Sequence, residues 1–261
     1  MKLLTWNVNS IRQRLARALA VVDRHAPDVV CLQETKVIDE EFPTDELAAA
    51  GYRCVSYGQK GYNGVALLAR EEIVDVTRGF PGDPAATEAR VLAGRVGDVH
   101  VVDVYAVNGK AVATPSYELK LAWFDALTDW IRDTFDPGEE LIVTGDFNVA
   151  PADEDVHDPA RWRDKNLASE PERAKIAALR EWGLVDLQRA KAPGPGPFTW
   201  WDYRLGAFHR GWGLRLDLIL ATVPLADRLV AVDVDREERK PTAGEGKPSD
   251  HAPVIVTLEN R

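Results

Sequence analysis

The chain has 261 residues, of which 45% are hydrophobic, 28% charged and 8% aromatic, and this composition excludes an intrinsically disordered protein. Its formal net charge of −10, from 32 Lys and Arg against 42 Asp and Glu, argues against passive binding to nucleic acid or to an anionic membrane. A local basic track around an acidic, metal-holding site is still compatible with that balance.

Short apolar runs alternate with turn residues from the first residue onward. Residues 2–8, 28–33 and 64–69 read as buried strands, and so do 91–96, 99–106 and 140–146. Further strands are expected at 214–221, 229–234 and 253–258. A helix is expected to start after Ser10 as N-cap, with Ile11, Leu15, Leu19 and Val22 on one stripe. A second follows Pro115 and Ser116 to about residue 135, carrying Leu121, Phe124, Leu127 and Ile131, and a third runs from about Pro171 to Trp182. Strands dominate and helices are spread over both halves, which favours an α/β or α+β architecture of two sheets covered by helices. No stretch reads as an interdomain linker, so residues 1–261 are expected to form one domain. The segment M-K-L-L-T-W lacks a long apolar core, no apolar run reaches the length of a membrane span, and Cys31 and Cys54 show no paired or metal spacing. A reducing cytoplasmic location is the expectation.

Chemistry concentrates where strands end. Asn7 closes the first strand, Glu34 the second, and Asp146 with Asn148 follows L-I-V-T-G; Asp250 and His251 precede the last strand, and Asp217 lies within another. Each has an ordinary explanation by itself: a turn residue, a cap or a solvated strand end. Five strand ends that carry such groups in one chain are harder to explain that way. Buried carboxylates need a partner, and oxygen donors from Glu, Asp and Asn suit Mg²⁺ or Mn²⁺ better than zinc.

The stretches W-N-V-N-S-I-R (6–12), L-Q-E-T-K (32–36), Y-N-G-V-A (62–66) and G-D-F-N-V-A-P (145–151) resemble the exonuclease III group. W-W-D-Y-R (200–204), L-R-L-D (214–217) and P-S-D-H-A-P-V (248–254) extend the resemblance, in the same order, over essentially the whole chain. That group belongs to the endonuclease/exonuclease/phosphatase superfamily with its DNase I-like fold. The resemblance implies a four-layer αββα sandwich of two packed mixed sheets flanked by helices. It also implies Mg²⁺-dependent hydrolysis of DNA phosphodiesters: cleavage 5′ to abasic sites, 3′→5′ exonuclease action and removal of 3′ blocks. By the same resemblance Glu34 is the principal metal ligand, supported by Asn7, with Asp250 a further ligand or outer partner. Asp146 would deprotonate the attacking water, Asn148 would fix the phosphate, and His251 paired to Asp217 would stabilise its charge. Tyr105 would contact phosphate or assist the leaving oxygen, and Asn108 would contact DNA.

Trp200, Leu214 and Leu216 match the walls of the family's apolar pocket for an extruded abasic sugar. Trp200, Trp201, Phe208 and Trp212 cluster in sequence with Arg204, Arg210 and Arg215, and Trp201 is expected in the core. Arg12, Arg14, Arg17, Arg161, Arg163, Lys165, Arg239, Lys240 and Lys247 could ring the rim as a phosphate track. His25 is expected to complement a helix dipole, and His209 to lie near DNA phosphate. Val107 stands where many members have proline, which leaves the loop after Tyr105 less stiff. The expected partner is duplex DNA with abasic sites or 3′ ends, bound by a monomer and without a membrane. The rival readings are a superfamily phosphatase for a small nucleotide or lipid phosphoester, and a non-catalytic DNA-binding scaffold.

Overall fold

Strands that are apolar on both faces need cover on both sides, and the computed structural model, which describes residues 1–260, provides it in four layers. The strands are β1 (Lys2–Asn7), β2 (Val29–Gln33), β3 (Arg53–Tyr57), β4 (Val65–Ala69), β5 (Ile73–Arg78) and β6 (Val91–Val96). They continue as β7 (Val99–Tyr105), β8 (Leu141–Asp146), β9 (Leu184–Asp186), β10 (Asp217–Thr222), β11 (Leu229–Val234) and β12 (Val254–Leu258). One sheet has the order β11-β12-β1-β2-β4-β3 and the other β5-β6-β7-β8-β10-β9. Each is mixed: β1 runs parallel to β2, β7 runs parallel to β8, and the other paired neighbours are antiparallel.

The inner faces meet through residues such as Leu3, Cys31, Leu67, Val101, Ile142 and Val256. The helix Ile11–His25 covers the outer face of the first sheet, packing Ile11, Val21 and Val22 with Trp6, Val30 and Leu68. The helices Pro115–Thr134 and Glu170–Trp182 cover the second sheet through Trp123, Phe124, Leu127, Ile176 and Leu179. This is the αββα sandwich implied by the resemblance. It exposes 11011 Å², close to the roughly 11,000 Å² expected for a folded chain of this mass. No helix among the described residues is long and apolar enough to cross a membrane.

Three strands, β3, β5 and β9, are absent from the sequence reading, and all three lie at sheet edges. An edge strand is half solvated and carries no continuous apolar run; β5, Ile-Val-Asp-Val-Thr-Arg, shows how weak the pattern becomes. The strand expected at 214–221 begins only at Asp217, because Leu214 pairs in an isolated bridge with Trp200 and the Arg215 N–H donates to the Asp155 carbonyl. Ser10 does not cap the first helix with its side chain. Asn9 and Ser10 take positive φ (46° and 92°), which turns the Ser10 and Ile11 N–H groups onto the Glu34 and Thr35 carbonyls instead. His25 at the end of that helix pairs with Asp235 at 2.8 Å.

The parallel pairs have a functional consequence. β1 and β2 end together, as do β7 and β8, and the β8–β10 register sets Asp217 opposite Asp146. Five strands thus deliver their terminal side chains to one rim.

Candidate active site

Asp146 is the centre of that rim. Its carboxylate is buried and receives the Asn148 backbone N–H on Oδ1 (2.9 Å) and the Asn7 amide on Oδ2 (2.9 Å). The same Asn7 Nδ2 donates to Glu34 Oε1 at 2.8 Å, so one amide bridges the two acids. Glu34 and Asn148 both adopt positive φ (53° and 52°), which turns the chain sharply just beyond β2 and β8. His251, just before β12, places Nδ1 2.9 Å from Asp217 Oδ2 and Nε2 3.7 Å from Asp146 Oδ2.

Electrostatics follow from this crowding. Burial raises the Asp146 carboxyl; the His251 charge opposes it, Asp217 and Glu34 add to it, and the net is a rise from 3.8 to about 7. Burial lowers the His251 imidazole, but Asp217 and Asp146 outweigh it and lift the ring to about 10. Imidazolium is therefore the neutral-pH form, a donor on both nitrogens. Burial, Glu34 and Asp146 all push the Tyr105 hydroxyl well above its ordinary value, keeping it a proton-bearing donor, with the Arg90 guanidinium 4.9 Å from its ring centre.

One ligand atom from each of Glu34, Asp146 and His251 lies within 4.8 Å of the others. The donor set fits a hard divalent cation: two carboxylates converge, and a cation would offset the burial and the added repulsion that raise Asp146. His251 is a poor third ligand, because an imidazolium has no lone pair to give. A cationic group already faces Glu34: Lys36 Nζ lies 2.7 Å from Oε2.

The remaining predicted residues divide. Asn108 joins the site, donating from Nδ2 to Asn148 Oδ1 at 2.8 Å. Asp250 does not join the acidic cluster; its oxygens accept from Asn9 Nδ2 (2.9 Å) and the Trp200 indole (3.1 Å). Trp200 is half-buried at the mouth, whereas Leu214 and Leu216 are fully buried and back its wall with Val156 and Leu167. Arg204 is exposed and bound to Asp202, and Arg210 is exposed beside Trp212.

The basic track is thinner than its sequence suggests. Of its members, Arg14, Arg17 and Arg239 turn inward, and so does Arg215 of the aromatic stretch. Arg17 pairs with Glu238 and six hydrogen bonds tie it to backbone carbonyls around residues 238–246, while Arg239 donates to the Ser249 and Trp201 carbonyls. Arg215 bridges Asp155 and Asp186, so it is an internal strut and not a DNA contact.

Four supporting residues escape the sequence reading. Lys36 and Asn9 link Glu34 to Asp250, since Lys36 donates to Asn9 Oδ1 at 2.5 Å. Ser249 donates to the Asn7 carbonyl (2.7 Å) and accepts the His251 N–H (3.2 Å). Lys120, fully buried against Glu172, donates to the carbonyls of Asn148 (2.7 Å) and Asn108 (3.2 Å) and so fixes both asparagine loops. Lys36, Asn9 and Ser249 lie inside the motif stretches, so a signal was there; Lys120 sits on an unremarkable helix face.

Residues 4–251 match the endonuclease/exonuclease/phosphatase family model. An exodeoxyribonuclease III from Haemophilus influenzae is 33% identical, covering 97% of this chain and 98% of its own length. A 3′-5′ exonuclease from Neisseria meningitidis superposes with TM-score 0.95 at 41% identity, and an AP endonuclease from Archaeoglobus fulgidus with 0.94 at 37%; each comparison covers both chains completely. A Neisseria 3′ phosphatase bound to a product DNA hairpin also superposes with TM-score 0.95 at 41% identity, again over both whole chains. The chain belongs to the endonuclease/exonuclease/phosphatase family. Within it, the chain is a DNA repair nuclease, a metal-dependent phosphodiesterase by reaction type.

Proposed function

We propose that the chain hydrolyses phosphoesters of duplex DNA at 3′ ends and 5′ to abasic sites, with Mg²⁺ as its ion, held chiefly by Glu34 beside Asp146. The observation that carries this reading is the arrangement around Asp146: a carboxylate held by Asn7 and Asn148, with the His251 imidazolium 3.7 Å away. Ionised Asp146 takes the proton of the attacking water. Asn148, tethered by Asn108, holds a phosphate oxygen, and His251, oriented by Asp217, donates to the charge that develops there. The Tyr105 hydroxyl, protonated throughout, lies where it can donate to a phosphate or leaving oxygen. When bound, the divalent cation supplies further positive charge at the scissile phosphate.

Residues 1–261 act as one domain and as a monomer in this reading, and two cysteines without disulfides suit the cytoplasm. The test uses end-labelled duplex DNA with one central abasic analogue, beside an undamaged duplex with a recessed 3′ end, each with Mg²⁺ or EDTA. Metal-dependent incision at the abasic site and shortening from the 3′ end are expected. Cleavage of neither duplex would overturn the reading in favour of a small-phosphoester phosphatase.

A further inference from the structure

Next to Trp200 lies a cavity of about 620 Å³ that contains none of the residues assigned to catalysis. His157, Arg161, Trp162, Leu205 and Trp212 line it together with Trp200. We propose that this cavity is a second binding site of the enzyme, taking an unpaired nucleobase of the DNA substrate; this rests on the DNA reading above.

Three features point to that ligand. The first is aromatic: His157 and Trp212 stack at 6.1 Å with 19° between their planes, half-buried, and Leu205 beside them is 72% exposed. Flat rings in a mostly apolar cavity accept any base by its π-face. The second is charge. Arg161 and Arg210 lie 5.7 and 4.5 Å from the Trp212 ring centre, both exposed and without a carboxylate partner among the described residues. An apolar protein segment would satisfy the rings but leave both guanidiniums unmatched, whereas a nucleotide brings a phosphate with its base. The third is continuity. A groove of about 480 Å³ runs past Asn108 and Leu167 and shares Trp162, Trp200, Asp202 and Arg204 with the cavity. Asn108 is bonded to Asn148 at the reaction centre, so one strand can occupy both. The indole N–H of Trp162, on the shared wall, is buried without a hydrogen-bond partner.

The test is binding of the full chain, in EDTA to prevent cleavage, to three hairpin duplexes read by fluorescence anisotropy. One is fully paired, one carries two unpaired thymidines beside its 3′ end, and one carries dihydrothymidine at the same two positions, whose ring is no longer flat. The wild type should prefer the flat bases over their non-planar counterparts by about tenfold, the scale of one base–aromatic stack. Trp212→Ala should abolish that preference and leave affinity for the fully paired duplex unchanged. His157→Ala, which removes only a half-buried ring, should reduce the preference in the same direction and guards against misfolding of the tryptophan variant. A wild type indifferent to the flatness of the bases, or a preference that survives in both variants, overturns the second site while the DNA reading stands. Failure to bind any duplex overturns the DNA reading, and the second site with it.

Discussion

His251 stands between two buried carboxylates, with Nδ1 2.9 Å from Asp217 and Nε2 3.7 Å from Asp146. Asp217 therefore both orients the ring and keeps it charged, the condition for Nε2 to donate to a phosphate rather than face it with a lone pair.

Asp217→Asn keeps the shape and removes the charge. The folded imidazole should then titrate well below the about 10 reached in the parent chain. Turnover should fall by about 10²–10³-fold at neutral pH, the usual cost of weakening one charge-stabilising donor. Single-turnover rates and the NMR titration of His251 measure both effects. A His251 that is neutral at pH 7.5 in the wild-type protein would remove the argument.

Asp146→Asn separates function from stability. The folded carboxyl titrates near 7 against an ordinary 3.8, so its contribution to stability is complete below pH 3.8 and is lost as pH rises through 7. In EDTA at pH 8 the amide variant should melt no lower than wild type, and relative to wild type it should gain stability between pH 5 and 8. Hydrolysis should be abolished. Thermal scans across pH together with the duplex assay decide this; a variant that melts lower at pH 8 than at pH 5, relative to wild type, contradicts the sign.

Lys36 competes with a cation for Glu34, its ammonium lying 2.7 Å from Oε2. Removing that charge in Lys36→Gln leaves the two acids a stronger field for a divalent ion. Mn²⁺ titration without DNA should show severalfold tighter binding in the variant. Weaker binding would mean that Lys36 shapes the site instead of opposing the ion.

The sheet cores and the candidate site are legible in the sequence for one reason. Strands such as β4 and β8 are apolar on both faces, so their period-free runs stand out, and the acids that end them are conspicuous by contrast. Edge strands such as β3, β5 and β9 lack that contrast. Charge direction was the other blind spot. Arg14, Arg17 and Arg239 occur in basic stretches and Arg215 in an aromatic one, yet each points inward to carbonyls or acids that only the fold brings near. Asp250 illustrates the same limit, since its partners Asn9 and Trp200 are 241 and 50 residues away in sequence.

Arg215 offers the sharpest test of that inward reading. Its guanidinium is fully buried between Asp155 and Asp186, with Nε 2.6 Å from Asp155 Oδ1 and an Nη 2.7 Å from Asp186 Oδ2. Arg215→Ala removes the shared cation of two buried carboxylates, leaving Asp155 with Arg189 and the Ala152 N–H and Asp186 with the Arg189 N–H alone, and breaking such a pair costs about 3–5 kcal/mol. Urea unfolding should record that loss. DNA binding should keep its dependence on salt, because no phosphate contact is removed. Were Arg215 instead a DNA contact, stability would hardly change and the slope of log affinity against log salt would fall by about one. The two outcomes are opposite in both readouts, so a single variant distinguishes a strut under Leu214–Asp217 from an arm on the substrate.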